Sequence, residues 1–108
     1  MLTVFRIEDQ HTVQLADMFR LLGDPSRLKL VLALQTGGTP ASVAAAAAGL
    51  SPQLASHHLR LLRAARLVQA VRKGREIHYE LADAHVRRML DDMIAHVTEP
   101  HGHEAEKE

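Results

Sequence analysis

The chain has 108 residues, 46% of them apolar, and no cysteine, which predicts one small globular domain and excludes disulfides and thiolate metal sites. Only three residues are aromatic, which argues against a single-strand nucleic-acid binder that stacks bases on aromatic rings. The formal net charge is zero, but residues 25–75 carry eight basic residues and no acidic one. This middle segment is therefore an electropositive block that can meet phosphates.

We expect neither a signal peptide nor a membrane span. The first ten residues include acidic side chains and lack a long apolar core, so we expect no signal peptide. No apolar run approaches the roughly 20 residues that a membrane span needs. We therefore expect no membrane partner and a cytoplasmic location.

Two helices are predicted at the start of the chain. Residues 11–22 place apolar side chains at helical spacing and stop at a glycine. Asp24 is a suitable helix cap and Pro25 a suitable first helical residue, so a second helix should run over residues 25–35. A pair of glycines then ends it.

A helix–turn–helix is predicted in the next segment. Thr39-Pro40 repeats the cap-and-proline signal, so a short alanine-rich helix should follow and stop at Gly49. Ser51 and Pro52 open the following helix in the same way. The small alanine side chains would let these two helices approach each other closely, as this motif requires.

Residues 52–65 form a helix whose two faces differ in chemistry. The broad apolar face comprises Leu54, Ala55, His58, Leu59, Leu61, Leu62 and Ala65. The outer face has hydrogen-bonding and cationic side chains and comprises Gln53, Ser56, His57, Arg60 and Arg63. We interpret the outer face as a DNA-reading surface, although His57 could also be only solvated. His58 belongs to the apolar stripe and is expected in the core.

A basic β-hairpin and a final helix complete the prediction. Residues 67–71 and 76–81 have the composition of short strands joined by a turn. The basic residues around that turn are Arg72, Lys73 and Arg75. A polar, cationic helix followed by a basic hairpin is typical of a protein that reads double-stranded DNA. The last helix should cover residues 84–98, with Asp83 as its cap and Pro100 as its stop.

The order of these elements resembles the winged helix–turn–helix repressors of the ArsR/SmtB metal-sensor family. The matching segments are DPSRL at 24–28, LSPQLASHHLRLLRAARLV at 50–68 and RKGREIHYEL at 72–81. Family members commonly have glycine where this chain has Arg66. The resemblance implies a mainly α fold with a small β-hairpin wing, assembled as a homodimer on an inverted repeat. Half-sites would lie about 34 Å apart or a multiple of that.

The last helix carries a candidate metal site. His85 and His96 share a helical face but lie about 16 Å apart along the axis, so one helix cannot bring both to one ion. The His85/His96 and Asp83/Glu99 pairs are both centred near residues 90–91. A two-fold axis there would place Asp83 and His85 of one chain against His96 and Glu99 of the other. The pattern also matches the last-helix metal site of zinc-sensing family members.

A second interpretation of the same four residues is structural. Asp83 would then be only a cap, Glu99 a solvated acid, and the two histidines residues of the dimer surface. Met89, Leu90, Met93 and Val97 are expected at or beneath that surface, together with the first helix. We expect residues 1–100 to form one DNA-binding and dimerisation domain, followed by a polar tail at 101–108.

The donor atoms indicate which ion would bind. Two imidazoles and two carboxylates suit Zn(II), Co(II) or Ni(II), whereas copper(I), arsenite, cadmium and lead sensors would be expected to use sulfur. A closed four-ligand shell favours Zn(II) as the effector. His101 and His103 could complete a six-coordinate Ni(II) or Co(II) site, or could lie in a solvated tail.

These observations predict a repressor that leaves its operator when the ion binds. By the resemblance, the histidine that matches His96 passes the signal through its second ring nitrogen to the backbone near Arg66. The first alternative is a winged-helix DNA-binding regulator that responds to another signal and has a vestigial metal site. The second is a small metal-dependent enzyme, which is disfavoured because no nucleophile motif is present and a closed site leaves no place for water.

Overall fold

The computed structural model describes residues 7–100, which form five α-helices and a three-stranded antiparallel sheet. The helices are α1 (Asp9–Leu22), α2 (Pro25–Leu32), α3 (Ala41–Ala48), α4 (Pro52–Ala64) and α5 (Ala84–Thr98). The strands are β1 (Thr39–Pro40), β2 (Val68–Lys73) and β3 (Glu76–Leu81), in the order β1-β3-β2. The predicted mainly α fold with a β-hairpin wing is confirmed. His101, His103 and most of the segment for which no signal peptide is expected lie outside the described residues.

Local capping sets the starts of three helices, as the sequence predicts. Asp24, Ser51 and Asp83 each accept a hydrogen bond from the backbone N–H three residues later, at 3.0, 3.1 and 3.0 Å. Pro25 and Pro52 occupy first-turn positions, where their missing N–H costs no hydrogen bond. Each such cap contributes about 1 kcal/mol to stability. The starts of α2, α4 and α5 are therefore encoded locally.

The predicted end of α2 is wrong. The helix stops at Leu32, and residues 33–36 continue as turns instead of a further helical turn. The N–H groups of Leu34 and Gln35 bond to carbonyls three residues earlier, at 3.0 and 3.2 Å. This tighter pattern is usual where a helix ends, and it buries Leu34 completely in the core.

The predicted role of Thr39-Pro40 is also wrong. These residues form β1, whose Thr39 and Pro40 pair with Tyr79 and His78 of β3. The Thr39 hydroxyl donates to the Gly37 carbonyl at 2.9 Å and caps no helix. A strand contact with residues far along the chain therefore overrides the local start signal.

The core lies where α2, α3 and α4 meet the sheet and α5. Its side chains are mostly leucine and alanine. The alanines of α3 face the core at positions 44, 45 and 48, which allows the close approach of α4. Leu54 departs from prediction, because it lies in the first turn of α4 and is 40% exposed. None of the helices within residues 7–100 is long and apolar enough to cross a membrane.

Candidate nucleic-acid interface and metal ligands

The helix α4 has one face anchored in the core and one face in solvent. Its buried residues are Ala55, His58, Leu59 and Leu62. The predicted DNA-reading residues are all exposed: Gln53, Ser56, His57, Arg60 and Arg63. The helix therefore presents hydrogen-bonding and cationic groups while its other side is fixed, which is the geometry that major-groove reading requires.

The turn before α4 has the geometry of a helix–turn–helix. Gly49 adopts a left-handed conformation with φ of 71°, which glycine adopts without a steric penalty. The Leu50 N–H bonds to the Ala45 carbonyl at 2.9 Å and closes the end of α3. Only Gly49, Leu50 and Ser51 separate the two helices, so α3 and α4 are held as one motif.

The strands β2 and β3 form a basic wing beside α4. They pair in register from Val68–Leu81 to Lys73–Glu76, and Gly74 makes the turn with φ of 64°. The predicted contact residues Arg72, Lys73 and Arg75 are exposed at the distal end. The wing thus adds exposed positive charge to that of α4, which suits contact with phosphates.

The four predicted metal ligands lie at the two ends of α5, and all are exposed. Asp83 uses Oδ1 to cap the helix, which leaves Oδ2 outside that cap. His85 follows it, and its Nδ1 lies 3.4 Å from the Arg88 guanidinium. His96 and Glu99 lie at the other end. Within residues 7–100, no group of three or more potential ligands is close enough to hold an ion, so one protomer holds only half of the predicted site at each end.

Apolar side chains lie between these two ends of α5. Met89 and Met93 follow His85 at four-residue spacing, so they share its helical face. Met93 is 52% exposed and Val97 is 73% exposed. On α1, Val13 and Phe19 are likewise more than half exposed. Large apolar side chains grouped on two helices indicate a surface that another chain covers.

The comparisons with known proteins identify the family. A model of the helix–turn–helix domain matches residues 22–69, from the end of α1 to the start of β2. The transcriptional regulator NmtR of Mycobacterium tuberculosis is 39% identical over 83% of this chain and 75% of its own length. A transcriptional repressor SmtB homologue of Synechocystis is 42% identical over 80% of this chain and 65% of its own length. The chain belongs to the ArsR/SmtB family.

Two solved structures have folds similar to that of this ArsR/SmtB protein. A homodimeric winged helix–turn–helix DNA-binding domain of Mycobacterium bovis has a TM-score of 0.72 and is 26% identical, covering 91% of this chain and 97% of its own. The cadmium metal-sensor CmtR of M. tuberculosis has a TM-score of 0.66 and is 38% identical. The match covers 73% of this chain and 82% of the CmtR chain. Family membership confirms that the chain is a DNA-binding transcriptional regulator and that it is not an enzyme.

The end of α4 shows how this ArsR/SmtB member differs from the common family pattern. Arg66 stands where glycine is common and has φ of 63°, the only positive value on a non-glycine residue within residues 7–100. The Leu67 N–H still bonds to the Leu62 carbonyl at 2.9 Å, as in a glycine-type helix end. The chain therefore keeps the geometry and accepts strain of about 1–2 kcal/mol in the arginine backbone.

A cavity of about 600 Å³ joins the end of α4 to the start of α5. Arg63 and Arg66 line it from one side, and Asp83 and His85 from the other. The end of the predicted DNA-reading helix and one predicted ligand pair therefore line the same cavity. Charge introduced at Asp83 and His85 would act on two arginines at the end of α4.

Proposed function

We propose that this protein is a metal-responsive, cytoplasmic repressor that binds an inverted-repeat operator as a homodimer and leaves it when Zn(II) binds. Co(II) and Ni(II) are the alternative effectors. One observation carries the proposal: Asp83 with His85, and His96 with Glu99, are exposed at opposite ends of α5, with methionines between them. Two such helices that cross antiparallel would cover the apolar stripe and complete two four-donor sites at once.

The homodimer is supported by the exposed apolar groups and by a solved relative. The M. bovis domain with this fold is a homodimer. In this chain, α1 and α5 leave large apolar side chains in solvent, and a partner copy would bury them. Each protomer would then present one α4 and one wing to the duplex, related by a two-fold axis.

The donor chemistry supports a borderline divalent ion. The chain has no cysteine and so offers no thiolate, and the four predicted donors are nitrogen and oxygen, whereas the related CmtR senses cadmium. Asp83 fits the ligand role because its cap uses only one carboxylate oxygen. When bound, the ion would link the two α5 helices. His101 and His103 are further candidate donors if the ion is Ni(II) or Co(II).

Hydrogen bonds from α5 offer a route by which its movement reaches the DNA-binding unit. The Arg87 guanidinium donates to the Gln35 carbonyl, and the Gln35 amide donates to Asp91 at 2.8 Å. Gln35 lies in the turn between α2 and β1, which leads directly into α3. A shift of α5 would therefore displace the helix–turn–helix. The coupling is reciprocal, so DNA must weaken metal binding by the same factor.

One observation favours a second candidate function, a regulator with another signal and a vestigial metal site. The Arg88 guanidinium lies 3.4 Å from His85 Nδ1, and a positive charge there opposes the binding of a cation. Arg88 is exposed on a flexible side chain, so it can also move away. The two functions differ in whether metal changes DNA affinity.

Fluorescence anisotropy with a labelled duplex, selected by the wild-type protein from a random library, tests the proposal. We expect Zn(II) to weaken binding by about five- to 150-fold relative to chelator, the range typical of allosteric coupling. His96→Ala should keep DNA binding and lose this response, whereas His11→Ala, an exposed histidine of α1 outside the predicted ligand set, should behave as wild type. Unchanged affinity with Zn(II), Co(II) and Ni(II) would instead support the vestigial-site regulator.

A further inference from the structure

A chain of hydrogen bonds joins the start of α2 to the middle of α4. The Ser26 hydroxyl donates to Asp24 Oδ2 at 2.7 Å, and its oxygen lies 2.9 Å from Nε2 of His58. The same Asp24 oxygen accepts the Arg27 N–H at 3.0 Å and so caps α2. The cap of one helix is therefore connected to the interior side of the DNA-reading helix.

The direction of these bonds fixes the state of the His58 ring. The Ser26 hydroxyl has one proton, which it gives to Asp24, so its oxygen accepts a hydrogen bond from Nε2–H of His58. In the neutral ring the other nitrogen, Nδ1, then has no proton. Nδ1 is buried and has no hydrogen-bond partner within the described part of the chain. Protonating it would bury an unpaired N–H donor, which is costly.

The charged groups around His58 agree with a neutral ring. Burial lowers the pKa of His58 below 6.5, and the Arg27 guanidinium and then His57 lower it further, while Asp24 acts in the opposite direction. Asp24 itself keeps its charge, because the Ser26 hydroxyl and the Arg27 N–H lower its pKa below 3.8. The buried residues of α3 that pack beside α4 are alanines, whose side chains carry no charge.

His58 is the only buried polar side chain within residues 7–100, with 5% of its surface exposed. The other buried residues of α4 are Ala55, Leu59 and Leu62. Apolar contacts of this kind are non-directional, so they restrict the rotation of a helix only through the shape of the packed side chains. A hydrogen bond weakens steeply when it bends or stretches. The Ser26–His58 bond therefore adds a directional constraint on the rotation of α4 to the constraint of shape.

We propose that Ser26 and His58 are positioning residues for DNA reading, because their bond sets the rotation of α4 and so the register of its outer face on the base edges. His57, on the outer face, directly precedes His58 in the helix, and its ring centroid lies 5.9 Å from that of His58. Side chains about 5 Å from a helix axis move by about 2 Å when the helix rotates by ~20°. Such a shift exceeds the tolerance of a hydrogen bond to a base.

The inference rests on the proposed reading of DNA by α4. Separate variants therefore test the role of the Ser26–His58 bond and the reading of DNA by α4. The probes are the labelled duplex selected by the wild-type protein and a duplex of random sequence, measured with chelator present. Ser26→Ala breaks the bond from one side and His58→Leu from the other. Ser26→Thr keeps the hydroxyl and serves as the conservative rescue. Arg60→Ala tests the outer face independently of the bond.

We expect Ser26→Ala and His58→Leu to weaken binding of the selected duplex by about tenfold, the effect expected when one good hydrogen bond to a base is broken. Binding of the random duplex should not change, because phosphate contacts carry it. Ser26→Thr should keep the wild-type ratio of the two affinities. His58→Leu should not lower the thermal midpoint, because it replaces a ring with a buried unpaired nitrogen by an apolar side chain.

Two results would overturn the inference. An unchanged affinity ratio in Ser26→Ala and His58→Leu would show that the bond does not position α4. An equal loss on both duplexes together with a lower thermal midpoint would show a purely structural role. If Arg60→Ala keeps full affinity for the selected duplex, or if the wild-type protein selects no sequence, the reading function of α4 fails as well.

Discussion

Arg66 shows that a single backbone conformation can be required by the fold and disfavoured by the residue that adopts it. Its φ of 63° belongs to the left-handed region, which costs a non-glycine residue about 1–2 kcal/mol. Strain of this kind often marks a functional position. Here the side chain lines the cavity that Asp83 and His85 also line, next to the end of the helix that we propose reads DNA.

Replacing Arg66 with glycine should therefore stabilise the protein. We expect Arg66→Gly to raise the free energy of unfolding by about 1 kcal/mol, because glycine adopts this conformation without the steric cost. Urea unfolding followed by circular dichroism measures the change. Ala65→Gly is the matched control: residue 65 has φ of −88°, so glycine there should destabilise by about 0.5–1 kcal/mol. Lower stability in Arg66→Gly would show that guanidinium contacts outweigh the strain.

His58 gives the protein a second residue-level property, a dependence of stability on pH. Its folded-state pKa lies below 6.5, mainly because of burial. The unfolded chain therefore binds a proton first as the pH falls, so stability is complete above 6.5 and decreases as the pH falls through the folded-state pKa. Urea unfolding of wild type and His58→Leu between pH 7.5 and about 5 measures this. The free energy of unfolding of wild type should fall toward low pH relative to that of His58→Leu, and parallel curves would contradict the assignment.

At the level of elements, the chain encodes some boundaries locally and others through distant contacts. The starts of α2, α4 and α5 follow from Asp24, Ser51 and Asp83, each of which caps the N–H three residues later. These starts were predictable because both partners lie in one turn of chain. The strand β1 was not, because its partners in β3 lie about 40 residues away in sequence.

The candidate site divides in the same way. The exposed faces of α4 and α5 were predictable, because helical periodicity decides which residues share a face. The Ser26–His58 bond was not, because 32 residues separate its partners and the sequence predicts only that His58 lies in the core. Leu54 shows the limit of periodicity: the wheel places it on the apolar face, but the first turn of α4 leaves it 40% exposed.

The reading helix and the wing should contribute differently to DNA binding. Arg60→Ala on α4 should weaken binding of the selected duplex by about 1–3 kcal/mol if it contacts a base. Alanine at Arg72, Lys73 or Arg75 should weaken binding of both the selected and the random duplex. It should also reduce the slope of log affinity against log salt by about 0.9 for each phosphate that is no longer neutralised. Anisotropy titrations from about 0.05 to 0.2 M salt measure both effects.

Lys29→Ala is the control for these charge changes, because Lys29 is an exposed base of α2 outside the proposed interface. It should change neither the affinity nor the salt slope beyond a small long-range effect. If the wing variants match this control at every salt concentration, β2 and β3 do not contact the duplex.

At the scale of the whole molecule, the exposed apolar side chains predict a dimer that forms without metal. Phe19 of α1 and Met93 and Val97 of α5 are 57%, 52% and 73% exposed, which is unfavourable unless another chain covers them. Sedimentation velocity at micromolar concentration in chelator should show a dimer. Val97→Asp should shift it toward monomer, whereas Asp92→Asn, a polar change on the same helix, should not. A wild-type monomer in chelator would contradict the proposed assembly.

The two-fold arrangement of the ligands makes a sharper prediction for mixed dimers. Each proposed site takes Asp83 and His85 from one chain and His96 and Glu99 from the other, so His85→Ala damages both sites of its homodimer, and so does His96→Ala. A heterodimer of these two variants would have one site without either histidine and one site with all four ligands.

Zinc titration with a chromophoric competitor should therefore find about one tight ion per mixed dimer and none in either parent. Wild type mixed with His11→Ala should keep two, which controls for the mixing procedure. If the mixed dimer recovers no tight site while this control keeps two, the ligands do not pair across the two-fold axis, and donors outside this set, starting with His101 and His103, must supply the metal site.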